Sequence, residues 1–214
     1  MIAFFADYKA AFDKIDREIL WKILQIKGVE QNLIDRCREI YDETINMVRV
    51  NDEYSEKFWT NNGLRQGCPL SPTLFTAYIS EVDQVLEKAQ AGGVVLGKKK
   101  IFTLAYADDL VLLAEKEEEM KNMLRVLEKF SDKRKLTLNV KKSKILVFKK
   151  GRGKKQKEEW KWKDEELEEV KVFKYLGYMF QKNNSSEEHI RYICRKAVVA
   201  MRQAGTSEKN NIQG

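Results

Sequence analysis

Two apolar runs that end in acid constrain this chain more than any other feature. Ile2-Ala3-Phe4-Phe5-Ala6 runs directly into Asp7, and Ile101 to Ala107 runs into Asp108-Asp109, after which Leu110 to Ala114 is apolar again. Short apolar runs rich in aromatic and β-branched residues read as buried strands. A carboxylate beside a buried strand is costly unless it is paired, hydrogen-bonded or bound to a cation. If these strands neighbour each other in one sheet, three carboxylates meet at one spot and form a divalent-metal site. Hard oxygen donors with no cysteine or histidine nearby favour Mg²⁺ or Mn²⁺ over zinc. The single histidine, His189, stands on a late helix and reads as a surface residue. Taken alone, Asp-Asp at a turn is also ordinary turn chemistry, so the assignment needs support from the rest of the chain.

The remaining pattern predicts an α+β layering. Ile15, Ile19 and Ile23 recur at helical spacing and Gly28 ends that helix. A second helix follows Asn32 as cap, with Leu33, Ile34, Cys37, Ile40 and Tyr41 on one face. Asn51-Asp52 marks a hairpin turn between Ile45 and Trp59. Ser71-Pro72 opens a third helix with Phe75, Tyr78, Ile79, Val82 and Leu86 as its stripe. Strands over Ile101 to Tyr106 and Leu110 to Ala114 join around Ala107, Asp108 and Asp109. A helix then carries Met120, Met123, Leu124, Leu127 and Phe130. Leu136 and Leu138, then Ile145, Val147 and Phe148, alternate as strands, Val170 to Phe180 forms a strand pair, and Ile190, Ile193, Cys194, Ala197 and Met201 mark a last helix. Asp13 and Asp16 suit a helix start, as caps or structural acids.

Lys plus Arg number 40 against 33 Asp plus Glu, a formal charge of +7, which suits a polyanionic partner without requiring one. Eight basic residues and two acids lie between Lys149 and Lys163. This run reads as an exposed loop, either a phosphate-contacting or nuclear-targeting patch or a solvated hairpin tip compensated by the acidic run Asp164 to Glu169. Cys37, Cys68 and Cys194 have no metal-ligand spacing and read as reduced thiols. No apolar run approaches the ~18 residues that would argue a membrane span, so a soluble intracellular protein is expected, with a nuclear location compatible.

Five segments in order sharpen this reading: Phe5-Ala-Asp-Tyr-Lys-Ala-Ala-Phe-Asp13, Gly63-Leu-Arg-Gln-Gly-Cys-Pro-Leu-Ser-Pro72, Tyr106-Ala-Asp-Asp109, Leu138-Asn-Val-Lys-Lys-Ser-Lys144 and Phe173-Lys-Tyr-Leu-Gly177. Each resembles one of the successive palm motifs of reverse transcriptases, with wording closest to the enzymes of non-LTR (LINE-like) retrotransposons. The resemblance implies a right-hand polymerase palm, an antiparallel sheet backed by helices with incomplete fingers. Residues 1–182 would be palm, with about 20–62 the remaining part of the fingers, and 183–214 the start of a truncated thumb.

The same resemblance implies RNA-directed DNA polymerase activity, by two-metal nucleotidyl transfer from a dNTP to a primer 3′-hydroxyl. Asp7, Asp108, Asp109 and the Tyr8 carbonyl would hold Mg²⁺, with Mn²⁺ as substitute. The backbone of Ala10 and Ala11 would meet the triphosphate. Phe12 would be the steric gate that rejects a 2′-hydroxyl, its alternative role being a core aromatic. Gln66 and Gly67 would line the templating pocket, Gly67 by allowing close approach, and Arg65 is a candidate phosphate contact. Lys142, with Lys141 and Lys144 close in register, would protonate the departing pyrophosphate. Tyr175, Leu176 and Gly177 would position the primer.

RNA template, DNA primer and dNTPs are the implied partners. The motifs begin almost at the first residue and the chain stops at Gly214 after one helix of what would be the thumb, so the resemblance implies that the remaining fingers, thumb and endonuclease are encoded elsewhere in the element. The alternative is a catalytically inert remnant that only binds nucleic acid.

Overall fold

The computed structural model describes residues 1–42, 44–149 and 159–210. In chain order the elements are β1 (Ile2–Ala6), α1 (Arg17–Ile26), α2 (Gln31–Asp42), the short strands β2 (Ile45–Asn46), β3 (Arg49–Val50), β4 (Glu53–Tyr54) and β5 (Phe58–Trp59), then α3 (Ser71–Ile79) and α4 (Val82–Lys88). They continue with β6 (Val94–Leu96), β7 (Lys99–Ile101), β8 (Thr103–Tyr106), β9 (Asp109–Ala114), α5 (Glu117–Lys133), β10 (Lys144–Val147), β11 (Trp160–Trp162), β12 (Glu165–Val170), β13 (Val172–Tyr175), β14 (Tyr178–Gln181) and α6 (Glu187–Asn210). Among the described residues no helix is long and apolar enough to cross a membrane.

Six strands form the central sheet in the order β11-β12-β10-β1-β9-β8, antiparallel except where β10 runs parallel to β12. Because side chains alternate along a strand, β1 has two different faces. Ile2, Phe4 and Ala6 share a core with Leu110, Leu112, Ile145 and the buried helix residues Met120, Met123, Leu124 and Leu127. Burying each large side chain of this set contributes about 1.5–3 kcal/mol. Ala3 and Phe5 face the other way, with Val111 and Leu146, and are covered by Phe173, Tyr175 and Phe180 of the β13–β14 hairpin. The same alternation carries Asp7 onto this second face, away from the helices.

Helix α5 follows its sequence pattern closely. Its five expected apolar residues are all buried. Glu119 accepts the backbone N–H groups of Glu115 and Lys116 at 3.2 Å each, and three glutamates in the first turn complement the helix dipole. Helix α1 is capped by Asp16, whose Oδ1 accepts the Ile19 N–H at 3.0 Å, while Asp13 caps nothing. Asn51 and Asp52 both have positive φ, as a type I′ hairpin turn between β3 and β4 requires. The three cysteines are free.

Several expectations need correction. Helix α2 starts at Gln31 with Asn32 inside it, and only Ile34, Cys37 and Tyr41 turn inward, leaving Leu33 and Ile40 exposed. The third helix is divided into α3 and α4 around Ser80 and Glu81, where the Ser80 hydroxyl donates to the Ala77 carbonyl at 2.8 Å. Ser71 lies in the first turn after Leu70, and its hydroxyl donates to the Arg65 carbonyl at 2.7 Å instead of capping. Leu136 and Leu138 form no strand beyond a bridge between Leu138 and Tyr8. Trp160 and Trp162 are buried in β11, and most of the acidic run is β12, paired on both sides. Lys150, Arg152, Lys154, Lys155 and Lys157 of the basic run lie outside the described residues. His189 is half-buried against Tyr178, its ring 4.0 Å away, and accepts the Met179 N–H.

Candidate catalytic centre

Strand pairing brings the separated acids together. β1 and β9 are neighbours with Ala6 opposite Leu110, so Asp7 continues the register toward Asp109. Asp108 is exposed at the β8–β9 turn, where Tyr106 pairs with Asp109 and Ala107 takes a φ of 52°. A positive φ at alanine is strained backbone, held here by the two paired strands. Asp7 and Asp109 line one cleft of about 280 Å³ with Phe5, Lys142, Lys174, Tyr175 and Leu176. Burial, and then the charges of Asp108 and Asp7, push the Asp109 carboxyl above the usual carboxylate range. Burial and the Asp109 charge likewise raise the Tyr175 hydroxyl.

No hydrogen bond or ion pair to a described residue occupies these three carboxylates. They are unspent hard oxygen donors in mutual repulsion, a donor set suited to a divalent cation. Among the described residues no three Asp, Glu, His or Cys side chains close around one point, so the set is open. The Tyr8 carbonyl is a further candidate oxygen. In its bridge to Leu138 the bonds run from Lys9 N–H to Thr137 O (2.8 Å) and from Asn139 N–H to Asp7 O (2.7 Å), which leaves the Tyr8 carbonyl free of that bridge. The Tyr8 hydroxyl is buried beside Ser131 at 2.9 Å, and burial pushes it up to about 12.

The fourth motif supports this centre from below. The fully buried Ser143 accepts the Asp7 N–H at 3.0 Å. Lys142 lines the cleft, whereas Lys144 pairs with Glu168 at 2.8 Å. The β13–β14 turn is Leu176-Gly177, both at positive φ, and it carries Tyr175 and Leu176 into the same cleft.

The residues that the resemblance assigns to the nucleotide occupy a second region. Ala10 is exposed with φ 48°, Ala11 is buried, and the half-buried Phe12 ring stacks on Phe75 at 4.8 Å. Gln66 donates to Asp13 at 3.3 Å and lines a cleft of about 790 Å³ with Arg17, Thr44, Thr60 and Arg65. None of the three acids lines this larger cleft. A Cβ placed on Gly67 would meet nothing within 4 Å, so within the chain its φ of 85° requires glycine and close packing does not. The tight glycine is Gly63, where a Cβ would sit 2.7 Å from the Asp13 carbonyl oxygen.

Arg17 and Ser143 are the structural members of the site that the sequence pattern passed over. Arg17 stands among the helix-start residues after Asp16, and nothing in its spacing distinguishes it from a solvated arginine.

A model of the reverse transcriptase (RNA-dependent DNA polymerase) family matches residues 1–180, and the chain belongs to that family. Reverse transcriptases generally use a divalent metal ion. The chain is similar to two retrovirus-related Pol polyproteins from the type-1 retrotransposable element R2 of Popillia japonica. One is 26% identical over 88% of this chain and 32% of its own length, the other 27% identical over 88% and 28%. A 149 kDa protein of transposon TX1 from Xenopus laevis is 27% identical over 80% of this chain and 13% of its own. The chain thus spans about a third or less of the length of these relatives.

Among solved structures, apo telomerase from Candida tropicalis superposes with a TM-score of 0.57 at 15% identity, covering 84% of this chain and 34% of that one. Telomerase from Candida albicans, in complex with a fragment of telomeric RNA, gives 0.56 at 13%, covering 86% and 31%. At these identities the likeness carries the fold alone, and that fold is the polymerase palm expected from the five motifs.

Proposed function

We propose that this chain is the catalytic palm of an RNA-directed DNA polymerase of a non-LTR retrotransposon, adding deoxynucleotides to a DNA primer on an RNA template. Residues 1–182 form the palm, with about 20–62 belonging to the fingers, and 183–214 begin the thumb. The observation that carries the proposal is the meeting of the β1 and β9 ends, which puts Asp7 and Asp109 in one cleft beside Lys142 and Tyr175.

Asp7, Asp108, Asp109 and the Tyr8 carbonyl would hold Mg²⁺ or Mn²⁺. When bound, the ions lower the pKa of the primer 3′-hydroxyl and neutralise charge on the triphosphate. Tyr175, Leu176 and Gly177 position the primer end, since their hairpin covers the face on which Asp7 lies. The backbone at Ala10 and Ala11 meets the triphosphate, small side chains leaving room for it. Phe12, braced by Phe75, blocks a 2′-hydroxyl. Gln66 and Gly67 contact the paired nucleotide, Gly67 with open space above its Cα. Lys142 donates a proton from Nζ to the leaving pyrophosphate.

The test is primer extension by this chain on an RNA template annealed to a DNA primer, with dNTPs and Mg²⁺ or Mn²⁺. Extension that stops on chelation is the expected result. Tight binding with no extension under either ion would instead favour a protein that only binds nucleic acid.

A further inference from the structure

Arg17 is 8% exposed, and among the described residues no carboxylate forms an ion pair with it. Its guanidinium is held by neutral acceptors. Nε donates to Gly63 O at 2.8 Å, Nη1 to Tyr41 O at 2.7 Å and Thr60 O at 3.0 Å, and Nη2 to Asn62 O at 3.3 Å and Thr44 Oγ1 at 3.4 Å. An arginine has five N–H donors, so all are spent inside the chain and none remains for a ligand. Burial lowers its pKa, and the carbonyl of Tyr41, in the last turn of α2, offsets part of that cost with the negative end of the helix dipole.

The segments it ties are those that frame the nucleotide side. Gly63 N–H donates to Ile15 O and Leu64 N–H to Phe12 O, both at 2.8 Å, so the loop is stitched to the turn that carries Phe12. Gly63 packs so closely on Asp13 that no Cβ fits between them. Phe12 leaves one end of this seam and Gln66-Gly67 leaves the other. Arg17 closes it from outside by joining the end of α2, the exit of β5 and the loop to α1.

We infer that Arg17 is a positioning residue that sets the distance between Phe12 and Gln66-Gly67, and through it the fit of the incoming nucleotide. This rests on the polymerase reading above. A lysine keeps the charge but offers three donors on one atom, which cannot span the acceptors that the planar fork reaches.

The test compares Arg17→Lys and Arg17→Met with the unmutated full chain, and adds Thr44→Val as a milder variant that removes one acceptor. Hydrogen exchange of the metal-free protein needs no activity. The amides of Gly63 and Leu64 should exchange about tenfold faster or more, while those of Phe4, Leu112 and Ile145 keep their protection. In primer extension the KM for dNTP should rise about tenfold with kcat within about twofold, and discrimination against ribonucleotides should fall. A residue that merely stabilised the fold would lower the active fraction and leave KM and sugar discrimination unchanged. Wild-type exchange at Gly63 and Leu64 would overturn the inference whatever the activity. Loosened amides with unchanged KM and discrimination would overturn it too, with the polymerase reading intact. An unmutated chain that never extends a primer would remove the polymerase reading and the positioning role with it, a result distinct from the other two.

Discussion

Asp109 is half-buried near Asp7 and Asp108, and burial first, then the charges of those two acids, raise its pKa. The folded state therefore holds the Asp109 proton more tightly than the unfolded chain. Its stabilising contribution is present below the ordinary Asp range and is lost as pH rises from there through the raised value. Asp109→Asn should accordingly raise the melting temperature of the metal-free protein by about 1–3 °C at pH 7, and the gain should vanish near pH 3. Added Mg²⁺ should then stabilise the unmutated chain more than the variant; thermal melts with chelator and with Mg²⁺ measure both effects. At this scale the acids were legible because a carboxylate inside an apolar run is conspicuous. Arg17 and Ser143 were not legible, because their partners are backbone groups brought close only by the tertiary fold: Gly63 O, Thr60 O and Asn62 O for one, the Asp7 N–H for the other.

Among the elements, the loop from Gly63 to Gly67 separates two uses of glycine. Gly63→Ala places a methyl 2.7 Å from the Asp13 carbonyl oxygen and also strains φ, whereas Gly67→Ala meets open space and pays only for its φ. Urea denaturation should show a loss of about 2–4 kcal/mol for the first and about 1 kcal/mol for the second. Equal losses would mean that the close approach at Gly63 yields at no cost. Helix α5 was fully legible because its apolar spacing runs unbroken from Met120 to Phe130. The α3–α4 break was not, since no glycine or proline marks it in Ile79-Ser80-Glu81-Val82. Strand β12 was also hidden, because Glu165-Glu166-Leu167-Glu168-Glu169 buries only Leu167 and owes its conformation to β10 and β11 on either side.

For the molecule as a whole, the sheet is the device that turns distant motifs into one site. β1 lies between β9 and β10, so the first, third and fourth motifs converge at one end of it, and the β13–β14 hairpin brings the fifth over the same face. The second motif stands apart on the larger cleft, joined to the first through the Phe12–Leu64 and Ile15–Gly63 bonds. The net charge of +7 suits a polyanionic partner. The central claim is that the acids serve chemistry and do not bind nucleic acid. Asp108→Asn tests it most directly, because Asp108 is exposed at a turn that asparagine also tolerates. Primer extension and equilibrium binding to the same RNA template and DNA primer are measured side by side. The account predicts that the variant loses extension while its affinity stays equal or improves slightly, since removing a negative charge cannot weaken attraction to phosphate. Full extension by Asp108→Asn would contradict the account.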